Sequence, residues 1–454
     1  MDTLIQQAVT TATQTRAIAF GDNALAATGE LFAAQFPGSR VLVVADENTY
    51  AVAGEPVTAS LQGAGVEFAE PPFVFPGTPI LYSSYDNVVV LREHLRPLGD
   101  TVVCSIAAGT LNDIAKLASG ELGRPYLNVC TAASVDGYAS FGASISVDGF
   151  KITRDCDAPV AIVADTEIMA AAPARLTATG YGDLIEKVPA GADWILADEL
   201  GIEPIDPYVW GLVQGTLRDA LAHPDKIALG DRVEIAKLAE ANIMSGLSMQ
   251  AMESSRPASG AGHQFSHVWE MEGHGLDWDP PLSHGFKVGI GTIASCAIWE
   301  ATLALTLDDV DVDAVVAAVP STEELARRCR QLLLPRIADA SLPQILAKHL
   351  TGDDLRARIE LILARWSEIR RRCAPQLLAP QDVMDRLRAV GAPHHPSLIG
   401  MDWERFRMSH FKVPLIRSRY TVLDVLTDLG VFEDVVQGLF APDGFWGRHT
   451  TPEI

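Results

Sequence analysis

Three of the chain's eleven histidines fall close together, His263 and His267 in "GAGHQFSHVWEM" and His284 in "SHGFKVGIGT". Imidazole nitrogens with carboxylate oxygens suit borderline divalent metals, and a catalytic site takes three protein ligands and leaves one position open. Residues four apart share a helix face, so His263 and His267 can point at one spot. His284 opens what reads as the next helix. The carboxylate must come from elsewhere, and "TATGYGDLIEK" offers Asp183, flanked by Gly180 and Gly182 on a turn entering a helix. Such a centre would polarise an oxygen of a bound substrate as a Lewis acid. Spacing does not say which histidines ligate, and each alone reads equally well as a structural imidazole.

A second group of residues points to a dinucleotide. In "AAGTLNDIAK" small residues lie between an expected strand and an expected helix. Bare N–H groups at such a helix start form an anion site, here at Gly109 and Thr110, with Asp113 in the first turn. The pattern is not a G-x-G-x-x-G fingerprint, and an ordinary strand-to-helix turn reads the same way. Asp46 follows the run "RVLVVA" at 40–45, where a carboxylate can accept hydrogen bonds from ribose hydroxyls or simply cap a helix. The Ser/Thr-rich "CTAASVDGYAS", with Thr131, Ser134, Asp136 and Ser140, follows another strand, at the edge where open α/β sheets bind ligands.

These groups need a scaffold. Short apolar runs at 40–45, 66–69, 101–106, 126–129 and 158–165 alternate with helical stretches, which implies a parallel sheet covered on both faces. Beyond Pro173 long Ala/Leu/Arg/Glu segments carry helical periodicity and almost no strand signal. With 454 residues the chain exceeds one ordinary core. The expected division is a Rossmann-like α/β unit over 1–173 and an all-helical unit over 174–454. Lys plus Arg number 35 against 58 Asp plus Glu, a net charge of −23, which excludes a non-specific nucleic-acid binder. Six cysteines without a C-x-x-C pair read as reduced thiols. With no signal-like N-terminus and no apolar run of membrane-spanning length, a cytoplasmic protein with no membrane span is the expectation.

The ordered blocks "GTLNDI", "TAASVDGYASFGA", "ATGYGDLIEK…DW", "SSRPASGAGHQFSHVWEM", "SHGFKVGIGT" and "HHPSLIG…LIRSRYTVLD" resemble the bacterial branch of the sn-glycerol-1-phosphate dehydrogenases. That branch lies in the superfamily of iron-containing alcohol dehydrogenases, glycerol dehydrogenases and dehydroquinate synthases. The resemblance implies a dehydroquinate synthase-like fold with its active site in an interdomain cleft. It implies a divalent metal (Zn, Ni or Fe) on Asp183, His263 and His284, with His267 and Asp136 beside the substrate. It implies NAD or NADP, with Thr131, Ser134 and Ser140 near the nicotinamide. Lys151 and Lys287 are candidates for anchoring a phosphate. The implied reaction is reversible reduction of dihydroxyacetone phosphate to sn-glycerol 1-phosphate. The alternatives are a dehydrogenase of another polyol or polyol phosphate, or a dehydroquinate synthase-like cyclase. A homodimer or higher homo-oligomer is the expected assembly.

Two departures from the family pattern are visible. "SIAAG" stands where a more glycine-rich G-x-G-S-G loop is usual, so the methyls of Ala107 and Ala108 are expected to crowd the pyrophosphate. Gly262 stands where an acidic residue commonly precedes the first ligand histidine, the place of a partner that orients a metal ligand.

Overall fold

A computed structural model describes residues 4–147 and 150–452. Eight strands occur among them: β1 (Ala17–Gly21), β2 (Val41–Asp46), β3 (Phe73–Phe75), β4 (Val102–Ala107), β5 (Tyr126–Cys130), β6 (Ala143–Val147), β7 (Phe150–Arg154) and β8 (Ala161–Asp165). Six form one sheet in the order β1-β8-β5-β4-β2-β3, and every pair in it is parallel. β2, β4, β5 and β8 are buried almost end to end, as parallel strands covered on both faces must be. From β2 the chain moves outward to β3, whereas from β4 it moves the other way to β5. The carboxyl ends of β2 and β4 therefore flank the switch point where such sheets bind ligands, and Asp46 and Gly109 lie there.

Three details depart from expectation. The run at 66–69 gives only one bridge, Phe68 to Val41, because Pro71 and Pro72 follow at once and offer no N–H to a ladder. β1, a short run of five residues, and the antiparallel ribbon of β6 and β7, which carries no strong apolar run, were not anticipated. Ala107 is the last residue of β4, fully buried among Leu42, Val44, Leu111 and Ile114. Its methyl faces the core, so crowding of a phosphate path from that position is corrected; only the half-buried Ala108, which precedes the helix Gly109–Gly120, stands at the loop.

After β8 the described residues form helices and no strand. Their core includes Cys130, Ala133 and Tyr138 from the sheet half, so packing runs without interruption past residue 173. Among the described residues no helix is long and apolar enough to cross a membrane.

Candidate metal centre

Asp183 sits in the last turn of the helix Ala174–Leu184, a correction to its expected place on a turn entering a helix. The glycines beside it have a packing role. A Cβ on Gly180 would meet the Ala133 carbonyl at 1.9 Å, and one on Gly182 would meet that of Gly285 at 2.5 Å. Backbone therefore packs on backbone, and the helix brings Asp183 against both the 131–136 loop and the helix His284–Leu303. His263 and His267 share the helix Ala261–Met271.

One ligand atom each from Asp183, His263 and His284 lies within 4.8 Å of the others. His263 Nε2 is 3.3 Å from Asp183 Oδ1. The donor set, one carboxylate and two imidazoles, is that of an open catalytic site for a divalent ion. Each imidazole is held from behind by a buried carboxylate. His263 Nδ1 is 2.7 Å from Glu186 Oε2, and His284 Nδ1 is 2.8 Å from Glu270 Oε1. A carboxylate that accepts from Nδ1–H keeps the proton on that nitrogen and leaves Nε2 free as a metal ligand.

Glu186 also explains Gly262. It accepts from the backbone N–H of Gly260 (3.0 Å) and His263 (3.3 Å), and a Cβ at 262 would lie 2.8 Å from its Cγ. The orienting carboxylate, expected from the residue before the histidine, comes instead from the turn between the helices Ala174–Leu184 and Lys187–Glu199, and glycine makes the room. Gly262→Ala is accordingly expected to displace Glu186 and weaken metal affinity by roughly 10–100-fold. Metal-competition titration checks this, and an affinity equal to wild type would contradict it.

Electrostatics at the centre are dominated by Lys187, fully buried. Its Nζ lies 2.9 Å from Asp136 Oδ2 and 3.1 Å from Asp183 Oδ1. Burial opposes ionisation of Asp183, but Lys187 and the two histidines hold its carboxyl well below the usual range. For His263 burial disfavours the imidazolium, yet Glu186 and Asp183 outweigh it and raise the pKa to about 9; a bound cation would reverse that pressure. Asp136 also accepts from Ser245 Oγ at 3.0 Å. Its loop is tied down by buried Lys116, which donates to the carbonyls of Gly137 (2.8 Å), Ser140 (2.8 Å) and Gly142 (3.1 Å).

His267 lies beside the triad, its ring stacked 6.3 Å from His284, with Nδ1 buried and unpartnered. Burial, then the charge of Arg417, hold its pKa well below the ordinary value, so it is a neutral imidazole. Lys151 and Lys287 converge on Glu270, with Nζ 3.3 and 3.7 Å from Oε1. Burial pulls Lys287 down to about 8. Both lysines thus reach the site, already engaged by the carboxylate that orients His284.

On the sheet side, Asp46 Oδ1 accepts from the N–H groups of Asn48 (2.8 Å) and Thr49 (3.0 Å), a helix cap. Asp113 accepts from the Ser144 N–H at 3.2 Å, tying the phosphate-side helix to the ribbon. Ser134 pairs with the Tyr138 hydroxyl (3.0 Å) and Ser140 donates to the Gly137 carbonyl (3.2 Å), so both shape the loop. Thr131 is buried at the end of β5, its N–H bonded to the Ala107 carbonyl at 3.1 Å. Gly109 and Thr110 are half-buried at the first helical turn. Glu186, Glu270, Lys187 and Lys116 were missed from sequence. The blocks containing all four were in view, but nothing in a lone Glu or Lys announces a buried partner.

The sequence matches the iron-containing alcohol dehydrogenase family over residues 19–173. It is 37% identical over 269 residues to a glycerol-1-phosphate dehydrogenase (NAD(P)+) of Halalkalibacterium halodurans, covering 57% of this chain and 65% of that one. It is 32% identical over 327 residues to the protein of the same name from Bacillus licheniformis, covering 69% and 79%. The chain thus spans just under two thirds of the first relative's length. Among solved structures, a probable glycerol dehydrogenase from Sinorhizobium meliloti 1021 superposes with a TM-score of 0.57 at 14% identity, covering 93% of this chain and 98% of the other. A 1,3-propanediol oxidoreductase gives 0.58 at 16%, covering 93% and 99%. At such identities these two likenesses speak for the fold: a parallel-sheet α/β half followed by a helical half.

Proposed function

This chain belongs to the glycerol-1-phosphate dehydrogenase family, and we propose that it reversibly reduces dihydroxyacetone phosphate to sn-glycerol 1-phosphate with NAD(P)H and one divalent metal. The observation that carries the reading is the convergence of Asp183, His263 and His284, each histidine backed by its own buried carboxylate. Residues 1–173 serve as the cofactor unit and 174–454 as the metal unit, with the substrate in the cleft between them. Zn, Ni and Fe all fit this donor set.

When bound, the metal supplies Lewis acidity toward the substrate carbonyl and the nicotinamide supplies the hydride. The remaining work falls to side chains. Glu186 and Glu270 fix the orientation and tautomer of His263 and His284. Lys187 keeps Asp183 ionised and sets Asp136, through their shared contact, where it can accept from a substrate hydroxyl. His267, a neutral imidazole, relays the proton to the product oxygen by giving one from one ring nitrogen while taking another up at the second. Thr131, Ser134 and Ser140 shape the nicotinamide end; Gly109 and Thr110 present N–H groups to the pyrophosphate; Asp113 braces their helix.

The test is nicotinamide oxidation with dihydroxyacetone phosphate against unphosphorylated dihydroxyacetone, with chiral analysis of the product. Turnover giving sn-glycerol 1-phosphate supports the reading, and no turnover by the metal-loaded protein would refute it.

Cofactor choice turns on Asp46, whose Oδ1 is spent on the cap while Oδ2 is left to meet a ribose. A 2′-phosphate there would face a carboxylate about 4 Å away, a repulsion of roughly 1–4 kcal/mol, or an NAD preference of about five-fold to several hundred-fold. Asp46→Ser keeps a capping hydroxyl while removing the charge, and is expected to erase most of that preference. Comparing kcat/KM for NADH and NADPH in both proteins decides it; a wild type that favours NADPH would contradict the placement.

A further inference from the structure

Three arginines cluster where the segment after the short helix Val413–Leu415 runs along the start of the helix carrying His263 and His267. Two are engaged by protein acceptors. Arg256 donates to the carbonyls of Asp193 (2.6 Å) and Tyr420 (2.9 Å). Arg419 donates to the Ser259 carbonyl (2.9 Å) and Ser255 Oγ (2.7 Å), pinning the segment to the residues that precede His263. Arg417, two positions earlier, is half-buried. Among the described residues no carboxylate pairs with it and no acceptor takes its hydrogen bonds. The helix Val413–Leu415 packs directly on the metal helix, and Arg417 is close enough to His267 for its charge to act on that imidazole.

We propose that Arg417 is the anchor of a phosphate-monoester subsite beside His267, the place where the substrate's phosphate is gripped. The inference rests on the reading of the site given above and deepens it. A partly desolvated guanidinium with no counter-ion carries an unmet demand for an anion, and its planar fork matches a phosphate's oxygens in pairs. The buried, unpartnered Nδ1 of His267 is a second unmet polar atom in this part of the site. The rival cations, Lys151 and Lys287, already share Glu270, and their charge is thereby tied to holding His284.

The experiment uses Arg417→Gln and Arg417→Lys in the metal-loaded enzyme, with Lys151→Gln and Lys287→Gln alongside. Loss of a charged hydrogen bond predicts that Arg417→Gln raises KM for dihydroxyacetone phosphate by roughly 10–150-fold and abolishes competitive inhibition by inorganic phosphate, with metal content unchanged. Arg417→Lys, which keeps the charge and loses the fork, is expected to fall between, and it keeps the test decisive if the glutamine variant folds poorly. Two results overturn this inference alone: a phosphate preference that survives in both Arg417 variants, or one lost with the lysine variants instead. A wild type with no preference for the phosphorylated ketone would overturn the functional reading on which it rests.

Discussion

His263→Ala and His284→Ala proteins are expected to fold yet hold no stoichiometric metal and show no measurable turnover, whereas His267→Ala keeps the metal and loses turnover. The difference follows from geometry. His263 and His284 each present one nitrogen to Asp183 and give the other to a carboxylate, so removing either leaves two ligands, too few for tight binding. His267 has no such carboxylate, and its Nδ1 is buried and unpartnered. Metal content by plasma emission spectrometry, with circular dichroism to establish folding, separates the cases. Metal retained by His263→Ala and lost by His267→Ala would reverse the assignment within the pair.

Lys187→Met is expected to destabilise the protein by about 3–5 kcal/mol, the usual cost of stranding a buried charge. Two carboxylates, Asp136 and Asp183, would then face each other without the ammonium between them. For a chain of this size that corresponds to a loss of roughly 3–5 °C in the melting temperature. The metal offsets part of it by neutralising Asp183, so the loss is expected to be larger in chelator than with metal. Asp136→Asn, combined with Lys187→Met, removes one stranded charge and should recover part of the loss. An unchanged melting temperature in the single variant would show that Lys187 does not balance this pair.

What the sequence made legible was what has period or order. Alternating apolar runs and turns announced the parallel sheet, and a helical face at spacing four announced that His263 and His267 point together. The ordered blocks identified the family. What stayed hidden depends on elements distant in sequence meeting in space. Glu186 meets His263 only because the turn that carries it packs against the start of the metal helix at Gly262, where an added Cβ would lie 2.8 Å from the Glu186 Cγ. Gly262 by itself looked like a missing acidic residue; in the fold it is the space that another acidic residue fills. Ala107 misled for the opposite reason, since a methyl beside a phosphate loop and a methyl facing the core read alike until the strand's last residue is placed. Edge elements such as β1 and the β6–β7 ribbon draw their pairing from neighbours rather than from their own composition.

The central claim is that a divalent metal on Asp183, His263 and His284 enables reduction of dihydroxyacetone phosphate. The most direct measurement is nicotinamide oxidation with that substrate by chelator-stripped protein, titrated with Zn, Ni or Fe. The predicted result is no turnover in the stripped protein and full turnover restored at one metal ion per chain. Undiminished turnover in protein shown to be metal-free would contradict the claim.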